Sequence, residues 1–235
     1  MSIIHMVRHG QASFGQGNYD KLSDLGHRQA EILAEHFMTV PLSFTAVYSG
    51  SMVRHKETAA PFVERWRKKG GNGGLETDPH FDEFDALTVW QSEIHNLVAE
   101  DPAAKADLAA VASDKRAFNR LFEKIMLRWV RGETAPEVAA KWHAFTGRVR
   151  SGMEKLMAAH GRKSQVVVFT SAGPIAAAVQ MALSLSDETT MELAFQVLNA
   201  SVTRFRYGKR GIILYGFNDV SHLERHGDEK LITFR

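Results

Sequence analysis

The apolar residues fall into short continuous runs, separated by longer stretches with helical spacing. Ile3 to Val7 is a buried-strand pattern that ends on Arg8-His9-Gly10. A glycine-containing loop follows, and Leu25 to Met38 then places Leu25, Ala30, Leu33, Ala34 and Phe37 on one helical face. Phe44 to Gly50 predicts a second strand, residues 52 to 69 a helix, and "KKGGNGG" an exposed loop. The segment "LETDPHFDEFDAL" reads as irregular and acidic. Residues 92 to 160 read as mostly helical, with Trp129, Trp142, Phe118, Leu121 and Phe122 as apolar anchors. Next come a strand at 166–170, a helix at 174–185, and strands near 202–207 and 211–217 joined by the turn "YGKRG".

Alternating strands and helices imply an α/β fold, a three-layer α/β/α sandwich with a mostly parallel central sheet. We expect one domain over residues 1–235, with 92–160 as a helical insertion or cap. Open parallel sheets bind ligands beyond the carboxyl ends of their strands. Three polar clusters fall at such ends: Arg8 to Gly10, Ser49 to Arg54, and Ser171 to Gly173.

Composition narrows the function. The chain has 235 residues, 44% hydrophobic and 24% charged, as in ordinary globular proteins. A net charge of +2 is too balanced to suggest nucleic-acid binding. With no cysteine there is no disulfide framework and no thiolate chemistry. The N-terminus lacks the pattern of a signal peptide, and no apolar run is long enough to cross a bilayer, so a cytoplasmic location is expected. Oligomeric state is not readable from these features.

The strand-end clusters carry the chemistry. Arg8 offers a planar fork of donors suited to phosphate or carboxylate oxygens. His9 can attack phosphorus or carry a proton, although Arg-His-Gly alone is equally a surface turn. In "SGSMVRHKETA", Arg54 would sit in the first turns of a helix, where anions are favoured. In "FDEFD", one of Asp82, Glu83 and Asp85 could act as a general acid. Asp78, His80 and Asp82 lack a recognised metal-ligand spacing. His5 and His9 stand four apart on a strand, about 13 Å, too far for a ligand pair. His222 and His226 read as a surface tail. Strand-Ser171-x-Gly173-helix suggests a serine-esterase elbow with Asp219 and His222, but Phe169 stands where that turn needs glycine.

Taken together, "HMVRHGQASF", "YDKLSDLGHRQA", "VYSGSMVRHKETA", "FDEFD" and "FNDVSHL" resemble the histidine phosphatase superfamily, the phosphoglycerate-mutase-like fold. The matches spread over residues 3 to 223. The resemblance implies a phosphohistidine intermediate on His9, a phosphoryl clamp of Arg8 and Arg54, and leaving-group protonation by Glu83. It also places Ser23 near the substrate in some members. It implies a small phosphorylated substrate and no cofactor or metal. The pattern breaks at one point: the family's second histidine aligns with Ser171, and its following glycine with Ala172. Ser171 and Ala172 are therefore expected to touch the phosphoryl group, with weakened turnover. His222 is a second candidate for the missing imidazole, though more readily structural. Three activities follow: a phosphomonoesterase, a phosphate-ligand binder with little turnover, or a phosphoglycerate mutase.

Overall fold

The computed structural model describes residues 2–13, 20–209 and 211–234. Residues 14–19 of the loop expected after the first strand, and residue 210 of the hairpin turn, lie outside them. A six-stranded sheet runs in the order β3-β2-β4-β1-β5-β6. Its strands are β1 (Ser2–Arg8), β2 (Ala46–Ser49), β3 (Leu75–Thr77), β4 (Gln165–Thr170), β5 (Val202–Gly208) and β6 (Gly211–Asp219). β1 to β4 are mutually parallel; β5 is antiparallel to β1, and β6 to β5.

Side-chain alternation along the central strands builds two cores. Val7, Val47, Val167 and Phe169 face α1 (Asp24–Thr39) and α2 (Val53–Lys68), meeting Leu33, Phe37, Phe62 and Trp66. Ile4, Met6, Val166 and Val168 face the other way, towards α6 (Pro136–Ala159) and α7 (Ala172–Leu183), through residues such as Val149, Met153 and Ile175. The sheet is thus buried between two helical layers, as the α/β/α expectation required. Register fixes the working edge: Arg8 pairs with Thr170, and Ser49 with Phe169. The carboxyl ends of β1, β4 and β2 therefore stand side by side, and the three polar clusters meet there.

Several boundaries differ from the sequence expectation. Residues 75–77, read as irregular, form the short edge strand β3 beside β2. The helical stretch begins not near 92 but at α3 (Ala86–Glu100), whose first turn is capped by Asp85 accepting from the Thr88 amide. α4 (Pro102–Ala110) and α5 (Lys115–Val130) follow, with Asp101 and Asp114 as caps. α7 starts at Ala172, because Pro174 falls in a first helical turn, where a missing N–H is tolerated. α8 (Asp187–Gln196) and α9 (Ser221–Glu224) occupy stretches to which no element was assigned. No described helix is long and apolar enough to cross a membrane.

Candidate active site

Arg8 and His9 leave the end of β1 in a buried position, each under a tenth exposed. The His9 amide donates to the Thr170 carbonyl at 2.8 Å, which ties it to β4. The His9 carbonyl accepts from the Ala200 amide at 3.2 Å and from Asn199 Nδ2 at 3.0 Å. Asn199 is held in turn by residue 233: its amide donates to the Thr233 carbonyl at 2.8 Å, and its Oδ1 accepts from the Thr233 hydroxyl at 3.0 Å. Gln29 of α1 joins the same brace. Its Oε1 accepts from the Gln11 amide, and its Nε2 donates to Leu231 and Thr233. The nucleophile candidate therefore rests on a backbone fixed from three directions.

The His9 ring is oriented as well as placed. Nδ1 donates to the Gly10 carbonyl at 2.7 Å, which leaves Nε2 as the lone-pair nitrogen. Burial, together with the Arg54 and Arg8 charges, pushes its pKa well below the usual value. The ring is neutral at physiological pH, the state a nucleophile needs.

Arg54 enters from the first turn of α2, and its Nη1 donates to Asp20 at 2.9 Å. Thr58, one turn later, accepts from the Gly10 amide at 3.0 Å and donates to the Arg54 carbonyl at 2.7 Å. That hydroxyl locks the end of β1 to the helix that carries Arg54. The Arg8 guanidinium donates to the Val197 carbonyl.

Glu83 closes the opposite side. One carboxylate oxygen accepts from the Phe84 amide at 3.1 Å and the other from the Gly173 amide at 3.2 Å. Burial raises its pKa and outweighs the opposing pull of the Gly173 amide and Arg54. Gly173 is required here, because a Cβ would stand 2.0 Å from Glu83 Oε1. Arg8, His9, Arg54, Glu83, Ala172 and Gly173 together line one end of a cavity of about 660 Å³.

The other candidates lie elsewhere. Ser171 is fully buried and is not part of the cavity lining. Its hydroxyl shares a 2.7 Å hydrogen bond with Nε2 of His55, a residue sequence reasoning passed over. His55 is fully buried, and its ring centroid is 5.9 Å from that of His9. Burial, with Arg54 and Lys56 nearby, holds it neutral. Gly50 makes room for it, since a Cβ there would stand 2.3 Å from Nδ1. The only signal in the sequence was its place directly after Arg54, at the end of the strand neighbouring β4. Ser23 caps α1, accepting from the Gly26 amide, and donates to Gln11. It too lies outside the cavity lining. His222 stacks on His36 with centroids 5.4 Å apart, in the packing of α9 on α1, and reaches neither Ser171 nor the cavity. Asp78 bonds His80, and Asp82 accepts from Ser51. Among the described residues, no three His, Asp, Glu or Cys side chains are grouped to hold a metal.

The model of the histidine phosphatase superfamily (branch 1) matches residues 4–220. The chain belongs to that superfamily. Solved structures of like fold include the phosphoserine phosphatase of Entamoeba histolytica in complex with 3-phosphoglyceric acid. It is 19% identical with a TM-score of 0.64, and the match covers 95% of this chain and 100% of that one. A mycobacterial glucosyl-3-phosphoglycerate phosphatase bound to vanadate is 23% identical at a TM-score of 0.59, over 92% and 98%. Phosphoglycerate mutase from Bacillus anthracis is 16% identical at 0.62, over 97% of each chain. No curated protein matches the sequence. Membership of the histidine phosphatase superfamily supports a phosphatase of the histidine type, and these likenesses fix the fold without fixing the substrate.

Proposed function

We propose that this protein is a phosphohydrolase that cleaves phosphomonoesters through a phosphohistidine on His9. The observation that carries the reading is the tautomer lock: a buried, neutral His9 with Nδ1 committed to the Gly10 carbonyl and Nε2 left to attack. Arg8 and Arg54 at the same end of the cavity supply the field that the equatorial oxygens need during transfer. The N-terminus of α7 adds its dipole at Ala172 and Gly173. Nε2 forms a bond to phosphorus as the ester P–O bond breaks, and Glu83, whose burial biases its carboxyl towards the protonated form, gives its proton to the departing alkoxide. Water then attacks the phosphohistidine, losing its proton to the Glu83 carboxylate. Inorganic phosphate leaves, and His9 and Glu83 return to their starting states.

Ser171 acts in this scheme through His55 rather than on the substrate. The serine hydroxyl and the α2 imidazole together fill the space next to His9 where the family pattern brings one imidazole from β4. The helices between β3 and α6 form the cap over the cavity. The decisive experiment assays a panel of phosphomonoesters, including an activated aryl phosphate, from pH 5 to 8 with wild type and His9→Ala. Turnover confined to the wild type, with an acid-labile phosphoenzyme, supports the assignment; wild-type activity no higher than His9→Ala overturns it.

A further inference from the structure

Away from the phosphoryl end, the cavity changes character. Its walls come from α3, α5 and α8, and they present Leu87, Trp90, Phe118, Phe122, Met191 and Phe195. The aromatic members form a continuous ladder. Trp90 stacks on Phe118 with centroids 5.2 Å apart, Phe118 on Phe122 at 5.9 Å, and Phe122 meets Phe195 edge-on at 6.3 Å. None of these four rings is fully buried. Among the described lining residues beyond the phosphoryl end, the polar side chains are Asp85, Lys115 and Asn119. The Asp85 carboxylate is already engaged by the Thr88 amide and hydroxyl.

A hydroxy acid or sugar placed against this wall would give up water for carbon, with few donors or acceptors in return. An apolar body would gain contact along the whole ladder, and a ring would gain face and edge contacts as well. The volume of about 660 Å³ also exceeds what a three-carbon phosphate fills. We infer that the cavity selects phosphomonoesters whose alcohol is bulky and apolar, carrying an aromatic ring, with the ring lodged between α3, α5 and α8. This rests on the phosphohydrolase reading for the fate of the ester, and on the wall alone for the choice of alcohol.

The test uses primary alkyl phosphates, so that the leaving alcohols differ little in reactivity: propyl, hexyl and 3-phenylpropyl phosphate, with 3-phosphoglycerate for comparison. The expected kcat/KM rises about threefold to fourfold per buried methylene. It should be at least about tenfold higher for the phenylpropyl than for the propyl ester. Phe118→Ala should remove most of that preference, bringing the phenylpropyl-to-propyl ratio of kcat/KM towards one; Phe195→Leu serves if the first variant fails to fold. A flat series, or a preference for 3-phosphoglycerate, overturns the inference while leaving the phosphohydrolase reading intact. If no ester is turned over, calorimetric binding of 3-phenylpropylphosphonate and propylphosphonate decides the matter. Tighter binding of the phenyl compound supports the wall, and equal affinities overturn it.

Discussion

Installing histidine at 171 restores the family's residue in sequence, and the structure says that it will harm the protein. Ser171 is fully buried, and its Oγ is 2.7 Å from His55 Nε2. An imidazole at 171 would start where that oxygen lies and extend into space His55 already fills. Overpacking of this kind costs about 1–3 kcal/mol, and the lost hydrogen bond about 1 kcal/mol more. A loss of about 2–4 kcal/mol lowers the melting temperature of a chain this size by about 5–15 °C. His9 lies beside His55, so the displacement also reaches the proposed nucleophile, and misplacement by about 1 Å costs about 10²-fold in rate. The paired exchange His55→Ser with Ser171→His returns the volume and brings the imidazole from β4. Thermal unfolding and kcat/KM on an activated aryl phosphate should show Ser171→His impaired in both. The double variant should recover most of the stability and at least wild-type turnover, a coupling well above about 1 kcal/mol. A single Ser171→His variant that is faster and equally stable would refute the reasoning, because the space would then have been free.

Three further outcomes follow from the same geometry. Glu83→Gln should lower kcat for alkyl phosphates by about 10²–10⁴, and much less for an activated aryl ester; the alkaline fall in activity, set by a carboxyl raised above 4.5, should vanish with it. Gly173→Ala should fold, since alanine suits a helix, yet lose turnover about 10²-fold by displacing the Glu83 carboxyl from its place 2.0 Å from the new Cβ. His5 and His222 are buried with pKa lowered from 6.5 to about 4, so unfolding lets each bind a proton that the fold refuses. Each adds about 3 kcal/mol of stability that is complete above pH 6.5 and is lost as pH falls to about 4. Denaturant titrations across that window should show the fall, and His5→Gln should reduce its slope.

The central strands and the paired helices were legible because their apolar runs and helical faces are unambiguous, and strand ends carry sites in this architecture. Arg8, His9 and Arg54 fall in clusters at such ends, whereas Glu83 was set apart from Asp82 and Asp85 only by the resemblance to the superfamily; the structure gathers all four at one end of one cavity. β3 escaped because three residues on a sheet edge make no periodic signal. The start of α3 was missed because the Asp85 cap sits inside a cluster that also reads as an acidic loop. Lys124 and Arg120 of α5 are paired with Asp101 and Asp107 of α4 and its cap, whereas Lys115 lines the cavity. Phe118 and Phe122, taken as anchors of the helical core, form part of the cavity wall, while Trp129 and Trp142 are fully interior. His55 was out of reach for a deeper reason: its contact with Ser171 spans 116 positions, and no local pattern reports it.

The brace behind His9 ties the chemistry to a remote part of the chain. The carbonyl of His9 is held through Asn199, and Asn199 through Thr233. Local opening of residues 229–234 and loosening of His9 are then a single event rather than two, as in any cooperative unit of a fold. Reciprocity follows, because a ligand that favours the docked tail must itself bind more tightly when the tail is docked. Phosphate over His9 should slow amide exchange at Asn199, 190 positions along the chain from His9, and any change to the tail that frees Thr233 should weaken phosphate binding by the same factor.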